Sequence, residues 1–405
     1  MTEAHVRAAQ AARTSYGRLL ALLAAPSRDI LGAEDALSAA FEQALVRWPV
    51  DGVPKNPDGW LLTVARNRQR DEWKSAAQRT SVPFDPNMHT RIGLDDIDPD
   101  AVEDRRLQLM LVCTHPAIDP TVHTPLMLDV VMGFGAKEIA RVFALPAPTL
   151  AARLVRAKRR IREAGISFDI PDRSVLPSRI DAVLAAVYGA FAIDWHGSGT
   201  EVRENFLDEA VHLAQTLAAL LPGDPEVRGL AALVNLSAAR VPARFDDDGV
   251  LVPLPDQDPR RWNEALIARG EAHLRAAHSR RVLGRFQLEA AIQAVHCARR
   301  TSPNDSTDWQ ALAELHEALQ SVFPTTGGAV ARAAVIAEVD SPAAGLESLD
   351  AIENSERFQP AWATRARLLE RLDCPVEARV AYDKAVSLTT DTATREYLIR
   401  RRERA

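Results

Sequence analysis

Residues 148–165, PTLAARLVRAKRRIREAG, hold Arg153, Arg156, Lys158, Arg159, Arg160 and Arg162 within ten positions, with Glu163 as the acid beside them. At about 100° per residue, Leu150, Leu154, Ala157 and Ile161 gather within about 60° of one another. The stretch can therefore fold only as a surface helix that buries one narrow stripe. Thr149, Ala152, Arg153 and Arg156 occupy an adjoining arc in its N-terminal half. Arg160 continues that arc, and Lys158, Arg159 and Arg162 are expected to fan out beyond it.

Ahead of this helix, AKEIARVF reads as a short helix with Ile139, Ala140 and Phe143 inward, and ALPAP as a tight break. A short helix, a turn and a cationic second helix follow the order of a helix-turn-helix. In such a motif the N-terminal half of the second helix meets base edges in the major groove. Arginine can donate two hydrogen bonds to guanine, residues as small as Thr149 and Ala152 can meet a thymine methyl, and outlying cations reach phosphates. A solvated basic helix end, favoured by the macrodipole near a C-terminus, is the competing reading. The preceding helix and turn weigh against it.

The concentration of cations is local. Residues 1–170 carry 22 Lys and Arg against 21 Asp and Glu, the remainder 27 against 34, and the whole chain has a formal charge of -6. The acidity belongs to the back half, so the basic helix stands out as an electrostatic footprint. With 405 residues the chain exceeds the ~250–300 that one core organises, so two or three domains are expected. Frequent alanine and leucine with only 5% aromatics favour helices over sheets, and the expected fold class is all-α.

Several function classes drop out. Cys113, Cys297 and Cys374 are too few and too scattered for a disulfide framework or a CxxC site, which implies a reducing compartment and a cytoplasmic protein. The N-terminus lacks the apolar core of a signal peptide, and no apolar run approaches the ~20 residues that span a bilayer, so no membrane partner is expected. Cys113 and His115 in CTHPAIDP are not followed by a second pair at metal-site spacing, and a packing role is expected for them. No HExxH, triad-like arrangement or Gly-rich phosphate loop occurs. The expectation is a protein that is not an enzyme, with no catalytic residue, no metal and no cofactor. Asp246, Asp247 and Asp248 lack EF-hand spacing and read as a turn, while Trp195, His196 and Trp262 are candidates to line a groove.

Along the chain, helices are expected at about 5–24, 33–48 and 57–79. In the second, Leu37, Ala40, Phe41, Ala44, Leu45 and Trp48 form a one-sided apolar stripe. The third opens on NPDGW, whose Pro57 suits a first helical turn, and is expected to bury Trp60, Leu61, Val64 and Ala65. Residues 81–103, rich in Pro and Asp, read as a flexible acidic linker. Further helices are expected at about 102–114, 121–132, 136–143 and 148–164. From about 175 the pattern is a succession of Ala/Leu-rich helices, with VLVPL the one candidate strand. Trp362, Ala366, Leu369, Ala378, Tyr382 and Ala385 match six tetratricopeptide positions, and Ala329, Ala333, Ile336, Gly345, Leu349 and Ile352 form a weaker copy 33 residues earlier. These observations predict an α-solenoid of helix pairs.

Taken together, the motifs resemble bacterial sigma factors of the extracytoplasmic-function type, within the sigma-70 family. GAEDALSAAFEQALVRWP is similar to the core-binding helix of sigma region two, and NPDGWLLTVARNRQRDEW to the helix that melts and reads the -10 element. GAKEIARVFALPAPTLAARLVRAKRRIR looks like region four, the -35 reader. CTHPAIDP, GRFQLEAAIQAVHCAR, TDW and SPAAGL resemble the subgroup with a tetratricopeptide-like C-terminal extension. The resemblance implies region two at 1–80, the linker at 81–103, region four at 104–168 and the extension at 169–405.

The resemblance also implies partners and contact residues. Core RNA polymerase would meet Glu34, Asp35, Ser38, Glu42 and Gln43, facing outward from the helix expected at 33–48. The -10 element would meet Arg66, Asn67, Arg70, Asp71 and Lys74, with the loop PVDGVPKN capturing an extruded base. The -35 element would meet Thr149, Ala152, Arg153, Arg156, Arg159 and Arg160. A regulatory protein or a ligand would act on the extension. Where many relatives carry a dense arginine cluster this chain reads DEWKSAAQR, which argues against strong -10 binding and leaves Trp73 to the core or to base stacking. The alternative is an interaction scaffold whose helical repeats do the work and whose sigma-like half is a degenerate docking module.

Overall fold

The computed structural model describes residues 3–80, 105–143, 145–171, 174–195, 204–302 and 306–405. Among them every regular element is a helix, so the fold is all-α. In place of a strand at VLVPL there is a single antiparallel bridge between Phe245 and Leu251, followed by a 3-10 turn at Leu254–Asp256. Pro253 and Pro255 lack the N–H donors that a ladder would need. The chain divides into two compact units, Met1–Ile193 and Asp194–Ala405.

The first unit contains α1 (Glu3–Thr14), α2 (Tyr16–Ser27), α3 (Ile30–Asp51), α4 (Pro57–Thr80), α5 (Arg106–Cys113), α6 (Pro120–Val130), α7 (Ala136–Val142), α8 (Ala147–Glu163) and α9 (Pro177–Trp195). The helix expected over 5–24 is two helices parted at Ser15, whose hydroxyl donates to Asp58 Oδ2 at 2.6 Å. Asp29 caps α3 by accepting from the Gly32 N–H. The stripe of α3 is narrower than expected: Leu37, Ala40, Ala44 and Trp48 are buried, but Leu45 is exposed. Asn56 caps the start of α4, where its Oδ1 accepts from Gly59 N at 2.9 Å, and Pro57 supplies the first helical residue. Leu61, Leu62 and Ala65 of α4 are fully buried, while Trp60 and Val64 are half-buried. Trp60 meets Trp48 edge-on, with ring centroids 5.5 Å apart.

All eight residues of α5 are buried, and together with Leu19–Ala24 of α2 they supply the centre of this unit. Gly17 lets α2 approach the backbone at Val131, where a Cβ would lie 1.8 Å from the carbonyl oxygen. The unit runs past the expected boundary at 168, because Arg179 of α9 donates to Leu111 O of α5 at 3.2 Å. The expected linker 81–103 lies outside the described residues, as does the start of the helix expected at 102.

The second unit contains α10 (Glu204–Leu220), α11 (Pro225–Ala238), α12 (Glu264–His278), α13 (Arg285–Ala298), α14 (Trp309–Val322), α15 (Thr326–Val339), α16 (Pro342–Asp350), α17 (Gln359–Arg371), α18 (Pro375–Leu388) and α19 (Thr392–Arg404). Asp224, Asn263, Asp308, Thr325, Ser341 and Asp391 each cap a helix through a side-chain oxygen, so the breaks between helices are written in residue types that satisfy first-turn N–H groups. Ala366, Ala381, Tyr382, Ala385 and Leu398 form one buried cluster, with Trp362 and Leu369 against it. At Gly345 a Cβ would lie 2.5 Å from the Ala337 Cβ and 2.9 Å from Ala333 O, so α16 meets α15 where only glycine fits. Among the described residues no helix is long and apolar enough to cross a membrane.

Candidate functional site

Pro146, extended at φ -64° and ψ 128°, leads into α8, and Pro148 lies in its first turn. Leu150, Leu154, Ala157 and Ile161 are buried along the expected stripe. Thr149, Ala152, Arg156, Arg159 and Arg160 are exposed and Arg153 is half-buried. Arg156 Nε donates to Ala152 O at 3.3 Å, which draws that side chain along the helix. Arg153, Arg156 and Arg160 share a groove of about 420 Å³ with Asp119 and Thr121 at the start of α6. Hydrogen bonds from the backbone and hydroxyl of Thr121 hold the Asp119 carboxyl below its usual range, with Arg153 adding to the effect. The groove thus carries three cations and one fixed anion. Phe143, expected inward from the preceding helix, is exposed.

Lys158 departs from expectation. It does not fan out toward phosphates but is buried, its Nζ 2.5 Å from Glu34 Oε1 of α3 and 2.7 Å from Asp129 Oδ2 of α6. The reason is angular: position 158 lies about 40° from Leu154, at the edge of the buried stripe. Burial works against its charge, but Asp129 and Glu34 more than compensate, and the ammonium is held above its ordinary range. For Glu34, burial pushes the carboxyl up against the downward pull of Lys158. The Tyr16 hydroxyl is also pushed up, by burial and then by Glu34 and Asp129. Arg162 reaches Asp29 Oδ2 at 3.4 Å, and Arg28 donates to Gly165 O at 3.3 Å. The α8 helix is therefore tied to α3 as well as to α6.

Of the five residues expected to face outward from α3, Asp35, Ser38, Glu42 and Gln43 are exposed. Glu34 is the correction, because Lys158 claims it. Beside the exposed four, α3 presents Leu45, Val46 and Val50 at 44%, 72% and 83% exposure, an apolar fringe unusual beside carboxylates. On α4, Asn67 and Asp71 are exposed and Arg66 and Arg70 half-buried, with Arg70 Nη1 3.5 Å from Asn67 Oδ1. Burial, and then Arg70, lower the Arg66 guanidinium from its usual range. Lys74 and Trp73 belong to α4, but their side chains lie outside the described residues.

The other candidates resolve structurally. Cys113 is buried, and burial pushes its thiol up. The His115 Nδ1 accepts from Ala117 N at 3.1 Å, inside its own loop. Asp246 Oδ1 accepts from Asp248 N and Val250 N, with Gly249 at φ 76°, which makes the aspartate run a turn. Trp262 is buried among Leu236, Ala239, Ala243, Ile267 and Cys297. His196 and the side chain of Trp195 lie outside the described residues. No group of three or more metal-ligating side chains occurs among the described residues.

Sequence reasoning missed Arg299. Its guanidinium is buried and donates to the carbonyls of Leu254 at 2.7 Å, Pro255 at 3.1 Å and Gln257 at 3.4 Å, with the Trp262 ring 5.6 Å away. It holds the loop 251–257 in place.

Residues 179–278 match DUF6596, a family of unknown function. Over 377 residues, 90% of this chain and 88% of the relative, the sequence is 33% identical to the uncharacterized protein R00370 of Rhizobium meliloti (strain 1021). No solved structure matches the chain.

Proposed function

The chain belongs to one family with the Rhizobium meliloti protein along nearly its whole length, and from that premise we propose a single function that uses both units: a sigma factor of the extracytoplasmic-function type. It binds core RNA polymerase and directs promoter-specific initiation in the cytoplasm, with no catalysis of its own. Region two is 1–80 and region four 104–168; the extension from 169 begins with α9, which packs in the first unit, and from α10 onward is a tetratricopeptide-like solenoid that modulates activity.

The observation that carries this reading is α8. A cationic helix that follows a short helix and a turn exposes Thr149, Ala152, Arg156, Arg159 and Arg160 while its apolar stripe stays buried. That separation suits base readout by the N-terminal half and phosphate contact by the rest. The exposed Asp35, Ser38, Glu42 and Gln43 of α3, with Leu45, Val46 and Val50 beside them, support a polymerase-docking face that combines charge and apolar area. The polar residues Asn67 and Asp71 of α4 support the -10 role.

The experiment is run-off transcription with core polymerase, using the full chain and a chain truncated after α9. Initiation from a cognate promoter by either supports the reading. Absence of initiation by both, together with failure to comigrate with core polymerase in gel filtration, overturns it and favours the scaffold.

A further inference from the structure

The groove beside α8 is poorly matched to a phosphate. Arg153, Arg156 and Arg160 line it from one side, and Asp119 lines it from the start of α6. Cations alone would suit a phosphodiester, which offers only acceptors, but a carboxylate fixed among them repels it. A ligand that presents acceptors and a donor together fits better. The major-groove edge of a G·C pair is such a ligand, with N7 and O6 of guanine as acceptors and the N4 amino group of cytosine as donor.

We propose that Asp119 is a specificity-determining residue outside α8, which accepts from the N4 amino group of the cytosine whose guanine is met by Arg153. This rests on the function proposed above and adds to it one base-reading residue and the base pair it selects.

The local geometry leaves Asp119 equipped for this. Its side chain is exposed, and its Oδ1 accepts from Thr121 N at 2.9 Å and from Thr121 Oγ1 at 2.8 Å. Both bonds go to Oδ1, and none among the described residues goes to Oδ2. Capping α6 therefore uses one oxygen and leaves the other for a donor that enters the groove. The two bonds also hold the carboxylate in place beforehand, so little side-chain freedom is lost when a base arrives. An ionised carboxylate can only accept, which selects the amino group of cytosine and rejects the O4 of thymine at the same place. The groove, about 420 Å³, gives a base-pair edge room between α8 and the start of α6.

The test uses core polymerase carrying the full chain and a library of promoters randomised in the -35 element. The parent is expected to select a G·C pair at one position and to lose that preference with Arg153→Ala. At that cytosine N4-methylcytosine, which keeps its pairing but blocks the major-groove N–H, should weaken binding about 5- to 150-fold. Asp119→Ser keeps a capping oxygen but is too short to reach a base, so it should bind the methylated and unmodified promoters equally and retain the parent's preferences elsewhere. Asp119→Asn also caps α6 and adds an amide donor, and it should shift the same position toward thymine. A selected element that lacks such a pair, or an Asp119→Ser chain that discriminates as the parent does or weakens on all promoters alike, overturns the role of Asp119 and leaves readout by α8 standing. A parent that binds core polymerase but selects no -35 sequence overturns both.

Discussion

Both units bury a cation, and they treat it differently. In the first, Lys158 is neutralised by carboxylates from two other helices, Glu34 and Asp129. In the second, Arg299 is met by three backbone carbonyls of one loop, with Trp262 behind it. The carbonyls cannot leave without unravelling the loop, whereas the partners of Lys158 are side chains carried by two separate helices. A buried cation is thus met by side-chain carboxylates in one unit and by backbone carbonyls in the other.

The comparison is most exposed to failure at the two cations themselves. Lys158→Met should cost the first unit about 3–5 kcal/mol in urea unfolding, because it leaves the largely buried carboxylates of Glu34 and Asp129 without their cation. Arg299→Ala is expected to destabilise the second unit by about 3 kcal/mol, since the buried guanidinium and its bonds to the carbonyls of Leu254, Pro255 and Gln257 are lost. A loss at Lys158 clearly smaller than at Arg299 would contradict this ordering. Next in size are the close backbone approaches. Gly17→Ala drives a Cβ into the Val131 carbonyl and should cost about 3 kcal/mol, while Gly345→Ala, which meets the Ala337 methyl as well as Ala333 O, should cost about 2. Thermal melting of each variant reads both.

Acid sharpens the comparison further. Burial, then Arg240, His316 and Arg299, push the His296 imidazole down to about 3, and burial pushes His316 down to about 4. Both are neutral in the folded second unit but take up a proton near 6.5 once unfolded. The unfolded chain therefore binds more protons below that pH. Their contribution is complete above 6.5 and is lost as pH falls toward 4. Hydrogen exchange followed from pH 7 to 5 should show α13 and α14 loosening before α3 and α8, and the reverse order contradicts the assignment.

The fold was legible where the signal was local. Pro57 after Asn56 marks the start of α4, and the Leu150–Ile161 stripe marks α8, because caps and periodicity act within a few residues. The small residues at Ala366, Ala378 and Gly345 are likewise local signs of close helix approach. What escaped depends on partners far along the chain. The break at Ser15 is invisible beside the apolar run Leu19–Ala24, since its hydroxyl bonds Asp58 from another helix. Lys158 looks like any surface lysine until Glu34, 124 residues away, is brought to it. Arg299 sits in no motif, and its acceptors are carbonyls, which carry no sequence signature. Leu45 falls on the stripe by periodicity alone, yet it is exposed.

Two further substitutions separate readout from grip within α8. Arg159→Ala should lower the slope of log affinity against log salt by about one, uniformly across DNA sequences. Arg153→Ala with Arg156→Ala should instead flatten discrimination between sequences, by about 1–3 kcal/mol per contact.

The most direct measurement is a footprint of core polymerase carrying this chain on a promoter it selects. Protection upstream of the start site at the -35 position, lost with the Arg153→Ala, Arg156→Ala chain while core binding persists, is the predicted result. Protection that is absent with the parent chain, or unchanged by the double substitution, contradicts the assignment of α8 to DNA.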